Sequence, residues 1–550
     1  MKRIWISALF LSLAAVAGAQ EWTDALTLSD NDYQGTARSL GMGNAMTAVG
    51  GDLGSLTLNP AGSAVAGYSQ FTITPGMGFS TVVSQGSLED NSGNLIGFQD
   101  RVHEQMGRFK VPNIGLMMVY DTHNNSGLKR VSFGVVGNMT RDYTNRIRAT
   151  GTNWSTSLAA SLASQADGYP ESVLAGDYNQ SGIPSWETLA GYQAGLFRPV
   201  AGYDALYAGL TERVQENGDR SVAGTFGQEY LLQRSGFRYD LLMNFGLDFN
   251  DKFYLGANVG VVSLIYRSDE TRSERNTLGL DFPNGFQSLN ARSSFQDTGS
   301  GVYMKVGFIA RPFAGLRIGA AIQTPTLLEI QEEYAVEASA VSQDYSKTRR
   351  IPPYDNDEWF YNLTSPFRAN AGIAYTFGQV AMLSADYEYC DYRGMRLSMY
   401  DDYDYNFSYA NMDIRDLTGP VHALRAGMEL KPSPSLAIRV GYNLTTGAQY
   451  NKLEYNEDTQ QDEVVPLSDG ERIDQIRTAV TFGLGYSSPG SFYADFAVRF
   501  QYLPNEYITP YYYYFRDQNG SLKKDWGVAV PEICAQSALC NALVTLGWRF

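Results

Sequence analysis

The sequence contains very little cysteine and histidine. Its 550 residues include three cysteines and three histidines, and no two cysteines form a CxxC pair. This scarcity excludes a small disulfide-stapled domain at this length, and it leaves little material for a metal site or a histidine-based triad. A hydrolase would need a serine–histidine pair, and we expect His103 and His123 near a loop and a turn. We therefore predict no metal site, no cofactor and no enzymatic activity.

Long hydrophobic runs are also missing. After the first twenty positions there is no run of about 18 or more apolar residues, so the sequence predicts no transmembrane helix. The mean hydropathy is −0.26, although the chain contains 37 Tyr and 27 Phe. No ATP-binding loop is visible either, so any transport would draw its energy from a concentration gradient.

Basic residues are fewer than acidic ones. The chain has 42 Lys and Arg against 58 Asp and Glu, which gives a formal net charge of −16. The first twenty residues look like a secretory leader: Lys2 and Arg3 precede an apolar stretch that ends in Ala17-Gly18-Ala19. We expect a signal peptide over residues 1–19 and a mature chain from Gln20. Removing two positive charges with the leader takes the net charge to −18, and such a protein is a poor partner for nucleic acid.

The last residues of the chain alternate in polarity with a period of two. Neighbouring side chains of a strand point to opposite faces, so one face of this strand is apolar throughout and the other carries Thr545 and Arg549. A final strand ending on an aromatic residue is typical of a bacterial outer-membrane barrel, although an edge of a soluble sheet would alternate in the same way. The apolar face consists of Ala542, Val544, Leu546, Trp548 and Phe550.

The same alternation recurs along the chain and predicts about fourteen strands. Their length suffices for a tilted strand to cross a bilayer. Their apolar faces carry essentially no charge, which matters because Lys or Arg facing lipid at mid-depth costs about 2–4 kcal/mol. The predicted strands lie near 69–82, 109–120, 129–142, 236–250, 252–267, 301–312, 314–325, 366–378, 379–392, 420–431, 435–446, 475–487, 491–504 and 540–550.

The connections between these strands alternate between short turns and long polar segments. Short periplasmic turns opposite long outer loops are typical of outer-membrane barrels. An even number of strands places both termini in the periplasm. The sequence therefore predicts an all-β membrane protein, a transmembrane antiparallel β-barrel of about 14 strands over residues 69–550, in the outer membrane of a Gram-negative bacterium. We expect a monomer in contact with outer-membrane lipid.

Two regions lack the strand pattern. Residues 20–68 are small and Gly-rich, and we expect them to form a plug (a hatch) inside the barrel. Residues 143–235 form the longest insertion, an extracellular region with helix-compatible spacing in 157–166 and 186–209. Its apolar residues are either the packing faces of short helices or an apolar docking site for a ligand outside the barrel mouth. The ligand-binding candidates in it are Trp154, Trp186, Leu189 and Phe197.

Residues 43–62 carry a resemblance to a known family. The sequence contains Gly43-Asn44-Ala45, Asp52 and Asn59-Pro60-Ala61-Gly62 shortly before the first predicted strand. These motifs resemble the FadL/TodX family of outer-membrane transporters for hydrophobic compounds. Support comes from three motifs further on: Arg317-Ile318-Gly319, Leu424-Arg425-Ala426-Gly427 and Arg439-Val440-Gly441-Tyr442. The chain departs from the family mainly in the insertion at 143–235 and in its long outer loops.

The resemblance implies a function and a route. A hydrophobic or amphipathic small molecule, such as a long-chain fatty acid, would dock in an outer apolar groove and pass to a pocket of higher affinity. It would leave sideways through a gap in the barrel wall after the hatch shifts. Aromatic hydrocarbons and haem-like molecules fit the same description. Glycines in the third strand, Gly134 and Gly137, are candidates for that gap, although they equally suit a strand twist or bulge. The hatch and gating residues would be Asn44, Asp52, Asn59, Pro60 and Ala61.

Four arginines on polar strand faces are further ligand-binding candidates. An arginine can hold a ligand carboxylate by bidentate hydrogen bonds. The alternative is that these arginines pair across the lumen with Asp386, Glu388, Glu429 and Asp495. The candidates are Arg317, Arg425, Arg439 and Arg499.

Two features leave alternatives open. Cys534 and Cys540 either form a disulfide or remain unpaired thiols. The barrel is either a passive transporter, a gated diffusion channel for hydrophobic or amphipathic molecules, or a non-transporting component of a secretion or surface-attachment complex. The long loops are compatible with both functions.

Overall fold

The structure is a computed structural model that describes residues 21–89, 93–179, 182–352, 359–399, 407–456, 461–516, 522–525 and 527–550. The predicted signal peptide, residues 1–19, and Gln20 lie outside this part of the chain. Within it, no helix combines the length and the apolar character needed to cross a membrane.

Fourteen antiparallel strands form one closed barrel within the described residues. Each strand pairs with its neighbour in the chain, and the last strand returns to the first, with Trp548 opposite Phe71. The strands are β1 Gln70–Gly86, β2 Val102–Asp121, β3 Leu128–Asp142, β4 Phe226–Phe249, β5 Phe253–Arg275, β6 Phe286–Ala310, β7 Leu316–Gln323, β8 Arg368–Phe377, β9 Ala381–Asp391, β10 Pro420–Ser433, β11 Leu436–Thr445, β12 Arg477–Ser487, β13 Phe492–Tyr502 and β14 Ile533–Arg549. The predicted barrel of about fourteen strands is confirmed.

Several strands continue beyond these bounds on the side of the long loops. Asn145–Asn153 continues β3, Leu327–Ser342 continues β7, Trp359–Thr364 precedes β8, and Arg396–Met399 follows β9. Shorter strands add to the barrel or form small hairpins there. These are Ser346–Ile351, Glu506–Ile508, Phe197–Pro199 with Tyr207–Gly209, Glu212–Val214 with Arg220–Val222, Asn451–Asn456 with Gln461–Pro466, and Tyr514–Arg516 with Leu522–Lys524.

The strand faces are divided as the alternation predicts. On β4, Leu241, Met243 and Phe245 point outward and are exposed, whereas Asp240 and Asn244 point inward and are buried. An outward apolar belt and a polar interior are what a barrel in lipid requires. The polar residues of the strands therefore face the lumen and whatever fills it.

The outer halves of the middle strands are longer than predicted. β4 contains 24 residues, so it extends about 80 Å at 3.3 Å per residue, whereas 9–11 residues cross a bilayer. The predicted helical insertion at 143–235 is therefore partly strand: its ends belong to the continuation of β3 and to β4. The helix predicted within 186–209 ends at Ala194, where Gly195 adopts a left-handed conformation with φ 81°.

The helices fall into an N-terminal group and an outer group. Most residues between 33 and 64 are buried, and Gly54–Thr57 among them is a 3₁₀ helix; Tyr392–Gly394 is another. The N-terminal helices are α1 Trp22–Ser29, α2 Ala37–Gly41 and α3 Gly62–Val65; the outer ones are α4 Leu158–Ala166, α5 Glu171–Leu174, α6 Trp186–Ala194, α7 Ser408–Leu417 and α8 Asp469–Asp474. We refer to residues 21–68 as the N-terminal segment and to residues 154–225 as the cap.

The N-terminal segment packs against inward-facing residues from different sides of the barrel. Helix α2 contacts β11 to β14, and α3 contacts β3 to β5. Glycines on the wall permit this close approach, because a Cβ at Gly441 would lie 2.2 Å from the Gly43 nitrogen and one at Gly256 would lie 2.3 Å from the Ala61 nitrogen. The segment therefore lies directly on the backbone of the wall.

Candidate functional site

A cavity of about 1150 Å³ lies between helix α1 and the cap. In the described part of the chain it is lined by eleven aromatic residues, most of them tyrosines, from both groups of helices and from the long strand extensions. Trp22 of α1 and Trp186 of α6 are both among them. Cavities of this size and aromatic character are typical of sites for small organic ligands.

Helix α1 borders the cavity from the N-terminal side. It begins with a reciprocal capping box in which the Asp24 carboxylate accepts a hydrogen bond from the Glu21 backbone nitrogen at 3.0 Å. Such a box satisfies two of the free donors at a helix start. Burial raises the pKa of the Asp24 carboxyl to about 6, although that hydrogen bond and the charge of Arg234 oppose the shift. Asp24 thus presents an acidic group to the cavity.

The cap is fastened to the barrel by a buried carboxylate. Glu274 of β5 accepts hydrogen bonds from the Ser157 hydroxyl at 2.7 Å, the Leu158 backbone nitrogen at 2.7 Å and the Gln228 side chain at 2.8 Å. The Glu274 carboxylate lies at the N-terminus of helix α4, where the first backbone nitrogens have no hydrogen-bond partner within the helix. Helix α4 is thereby held over the cavity.

The barrel wall has a gap between β2 and β3. The two strands pair from Asp121 opposite Arg130 to Asn113 opposite Asn138; beyond that point, within the described residues, 102–112 of β2 has no partner on β3. The register of β3 against β4 shifts between Met139 and Arg141, and the continuation Asn145–Asn153 pairs with β4 while lying beside β1 and β2. We call this opening the wall gap. The glycines considered for such a gap, at 134 and 137, lie instead in the paired part of β3.

The N-terminal segment occupies the free edge of β3 at the wall gap. The backbone nitrogens of Asp32 and Gln34 donate to the carbonyl oxygens of Thr140 and Met139, at 2.6 and 3.1 Å. The segment thus bonds two carbonyl oxygens of β3 beyond the point where β2 stops pairing with this strand. Movement of residues 32–34 would therefore expose this edge.

Charged side chains border the wall gap. Lys110 lies 3.0 Å from the Asp142 carboxylate, and Arg108 lies 3.7 Å from the same group. Arg108 also donates to the Thr144 hydroxyl at 2.8 Å and to the Gly236 carbonyl at 3.0 Å. Asp142 and Thr144 line the cavity as well, so the cavity reaches the gap.

The Asn59-Pro60-Ala61 motif joins the N-terminal segment to the wall. The Asn59 amide donates to the Thr47 carbonyl at 2.7 Å and to the Phe308 carbonyl of β6 at 3.0 Å. Its amide oxygen accepts from the Ala61 nitrogen at 3.1 Å. The Pro60 carbonyl accepts from the Asn244 side chain of β4 at 2.9 Å. The motif therefore fixes both a local turn and its attachment.

Asn44 and Asp52 act within the N-terminal segment. Asn44 has a left-handed backbone with φ 59°, and its side-chain amide donates to the Tyr33 carbonyl at 2.8 Å. The Asp52 carboxylate accepts from the Thr36 hydroxyl at 2.7 Å and from the Ser55 nitrogen at 3.2 Å. Both residues therefore stabilise the conformation of the segment through bonds within it. Other residues of the segment make its contacts with the barrel wall.

The four predicted arginines lie outside the described cavity lining. Arg425 pairs with Glu388 at 2.6 Å, and Arg439 pairs with Glu429 and Asp495. These are the lumen pairs that the sequence offered as the alternative to a ligand carboxylate.

The other two arginines contact the N-terminal segment. Arg499 pairs with Asp32 at 2.6 Å, and Arg317 donates to the Val49 carbonyl at 2.5 Å. Asp386, the remaining predicted partner, accepts from the Thr47 nitrogen at 2.7 Å. Three of the arginines thus pair with carboxylates of the wall or the segment, and Arg317 is held by a backbone carbonyl of the segment.

The candidates in the outer insertion are separated by the structure. Trp186 lines the cavity. Leu189 and Phe197 are fully buried in the hydrophobic core of the cap, so they are packing residues, and Trp154 is 44% exposed on the outside.

Cys534 and Cys540 lie six residues apart on the single strand β14 and are unpaired in the described chain. Six residues of strand span about 20 Å, whereas the Cα atoms of a disulfide lie about 4.4–6.8 Å apart. This separation excludes a disulfide between Cys534 and Cys540, so the alternative of unpaired thiols holds.

The histidines are spread over the barrel. His103 lies on the exposed face of β2, which corrects its predicted place in a loop, and His123 lies in the turn after β2 with φ 59°. The His422 ring contacts the Tyr387 hydroxyl at 2.7 Å.

Three acidic residues at the cavity were not predicted from the sequence: Asp24 and Glu332, which line it, and Asp297, which is buried beside Glu332. Asp24, Asp297 and Glu332 lie on α1, β6 and the continuation of β7, far apart in the chain. Their inward direction follows from strand alternation, but their proximity requires the register between β6 and β7.

The sequence matches no family profile and no curated protein. By structure the chain is similar to a FadL homologue from Pseudomonas aeruginosa, with a TM-score of 0.49 and 12% identity over 94% of this chain and 99% of that one. It is similar to the toluene transporter TodX of Pseudomonas putida, with a TM-score of 0.46 and 12% identity over 95% and 100% of the two chains. A toluene transporter of Ralstonia pickettii, TbuX, gives a TM-score of 0.43 and 13% identity over 96% and 100%.

Proposed function

We propose that the protein is an outer-membrane passive transporter, a gated diffusion channel for hydrophobic or amphipathic small molecules, with the N-terminal segment as its hatch. The observation that carries this proposal is the aromatic cavity of about 1150 Å³ between α1 and the cap. The outer parts of the barrel strands enclose this cavity together with α1 and the cap. Long-chain fatty acids, the ligands suggested by the family resemblance, are one member of this class.

The route that we propose runs from the cap through the cavity to the wall gap. Support comes from residues that border both spaces, Asp142 and Thr144. The N-terminal segment bonds the free edge of β3 through Asp32 and Gln34, so its displacement would widen the exit. A hydrophobic molecule that leaves sideways enters the bilayer without crossing the tightly packed layer around Asn59.

Deletion of residues 20–62 tests the proposed function. The full-length mature protein in planar bilayers is expected to show little ion conductance, because the N-terminal segment fills the lumen. The deletion variant is expected to conduct ions continuously, as an open pore of this strand number would. In proteoliposomes, the full-length protein should still admit a small hydrophobic probe such as toluene.

The folded state of the deletion variant is checked by its heat-modifiable migration in detergent gels. Equal conductance of the two folded proteins would contradict the role of the segment as a hatch. Full-length protein that binds and admits no hydrophobic probe, and that purifies stably with a large partner complex, would favour the non-transporting alternative.

A further inference from the structure

The cavity carries a surplus of negative charge. Among the described residues, ten acidic and five basic side chains line it. Two of these acids, Asp32 and Asp142, pair with Arg499 and Lys110 from outside the lining, and a negative surplus remains after these pairs are counted. The basic side chains are already paired: Arg234 lies 2.6 Å from Glu506, and Arg141 and Arg477 lie 2.8 and 2.5 Å from Asp30. The remaining pairs are Arg272 with Glu187 and Lys452 with Glu471. An anionic ligand would therefore enter against the field of the lining, whereas a cation would enter with it.

Two carboxylates face each other at the wall of this cavity. Asp297 of β6 lies directly opposite Glu332 in the strand register, which places their Cα atoms about 4.5–5.5 Å apart. Glu332 lines the cavity, and Asp297 beside it is fully buried. One Asp297 oxygen has the Tyr361 hydroxyl at 3.4 Å, and the other has no hydrogen-bond partner among the described residues.

Aromatic rings adjoin this acidic pair on the same faces of the two strands. Phe295 is the next inward residue of β6, and it lies opposite Tyr334, the next inward residue beside Glu332. The Tyr334 ring lies 5.7 Å from that of Trp186, at the cap side. The Phe295 ring lies 6.2 Å from that of Tyr266. Carboxylates next to aromatic faces suit an organic cation, because both attract positive charge in a desolvated site.

We propose that the ligand of this cavity is an amphipathic organic cation, an amine with an aromatic or apolar body. Asp24 and Glu332, which line the cavity, bind its ammonium group, and the surrounding rings bind its body. Asp297, buried beside Glu332, acts on the ligand through Glu332. This inference rests on the proposed function and names the ligand class of that transporter. Long-chain fatty acids would then be poor ligands, because their carboxylate lacks a free cation and meets the acidic pair.

Three probes of similar shape and different charge test the inference. They are 2-phenylethylammonium, the neutral 2-phenylethanol and the anionic 3-phenylpropionate, each titrated calorimetrically into the full-length protein in nanodiscs. We expect 2-phenylethylammonium to bind at least tenfold more tightly than 3-phenylpropionate. The variants E332Q and D297N, which keep side-chain shape, should each reduce that preference to less than threefold. E333Q, on the exposed face of the same strand, should leave it unchanged.

The outcomes separate the two proposals. Equal binding of the three probes to the wild-type protein would overturn the charge preference and leave transport standing, and this comparison requires no variant to fold. An unchanged preference in both E332Q and D297N would overturn the assignment of the acidic pair. If none of the probes binds and none crosses proteoliposomes, the proposed function fails together with the inference.

Discussion

At the scale of single residues, buried polar side chains hold the cap and the N-terminal segment in position. Glu274 accepts hydrogen bonds from two donors at the start of α4 and from the Gln228 side chain of β4. Asn59 donates to two carbonyl oxygens, one in the segment and one in β6. A buried donor or acceptor that loses its partner costs about 1–3 kcal/mol. Substitution of Glu274 or Asn59 is therefore expected to reduce stability, although neither residue lines the cavity.

The substitution Glu274→Ala tests the attachment of the cap. It removes one acceptor from three buried donors, so we expect the cap to lose about 2–4 kcal/mol of local stability. Limited proteolysis should cut the region between residues 154 and 225 at least tenfold faster, while heat-modifiable migration shows an intact barrel. Glu337→Ala, at an exposed position of the outer sheet, is the matched control. Equal cleavage of the two variants would contradict this role of Glu274.

At the scale of elements, the strands divide into an inner part that crosses the membrane and an outer part that builds the cavity. The inner part carries the apolar belt and the wall glycines, on which α2 and α3 rest. The outer parts of β4 and β5 and the continuation of β7 carry tyrosines and charged residues toward the cavity, and β6 adds Phe295. The wall gap arises where β3 leaves β2 at Asn138 and the N-terminal segment takes its place.

The substitution Gly441→Ala tests the fit between the N-terminal segment and β11. The new methyl group would lie 2.2 Å from the Gly43 nitrogen, so the segment must move. Overpacking of this kind costs about 1–3 kcal/mol, and we expect a several-fold rise in ion conductance in planar bilayers. Gly137→Ala is the control, since its methyl group would meet atoms at 3.6 Å and beyond. The hatch contact would be refuted if the two variants conducted alike.

At the scale of the whole molecule, the barrel was predictable from sequence because its main signal is local. The alternating polarity of β4 identifies it as a strand and shows which of its side chains face the lumen. The turn at Asn250 shows that the next strand runs antiparallel to it. Neither inference requires knowledge of distant residues. The outer half of β6 was missed because polar residues such as Asn290 and Asp297 lie outside the membrane belt and break the apolar alternation.

The candidate site was predictable only in part. Trp186 was predicted as a candidate because apolar residues of the outer insertion recur at helical spacing, and Trp186 does line the cavity. The inward direction of Arg425 and Arg439 followed from alternation, but the choice between a ligand and Glu388 or Glu429 depended on packing across the lumen. The acidic pair depended on the register that joins Asp297 to Glu332, which no local pattern contains.

The most direct test of a ligand cavity above an N-terminal plug is an experimental structure of the full-length protein in lipid with 2-(4-bromophenyl)ethylammonium bound. We predict anomalous bromine density inside the barrel, in the cavity between Trp22 and Trp186, with residues 21–68 packed against the wall glycines beneath it. Bromine density confined to the outer lipid-facing surface, or an N-terminal segment located outside the barrel, would contradict it.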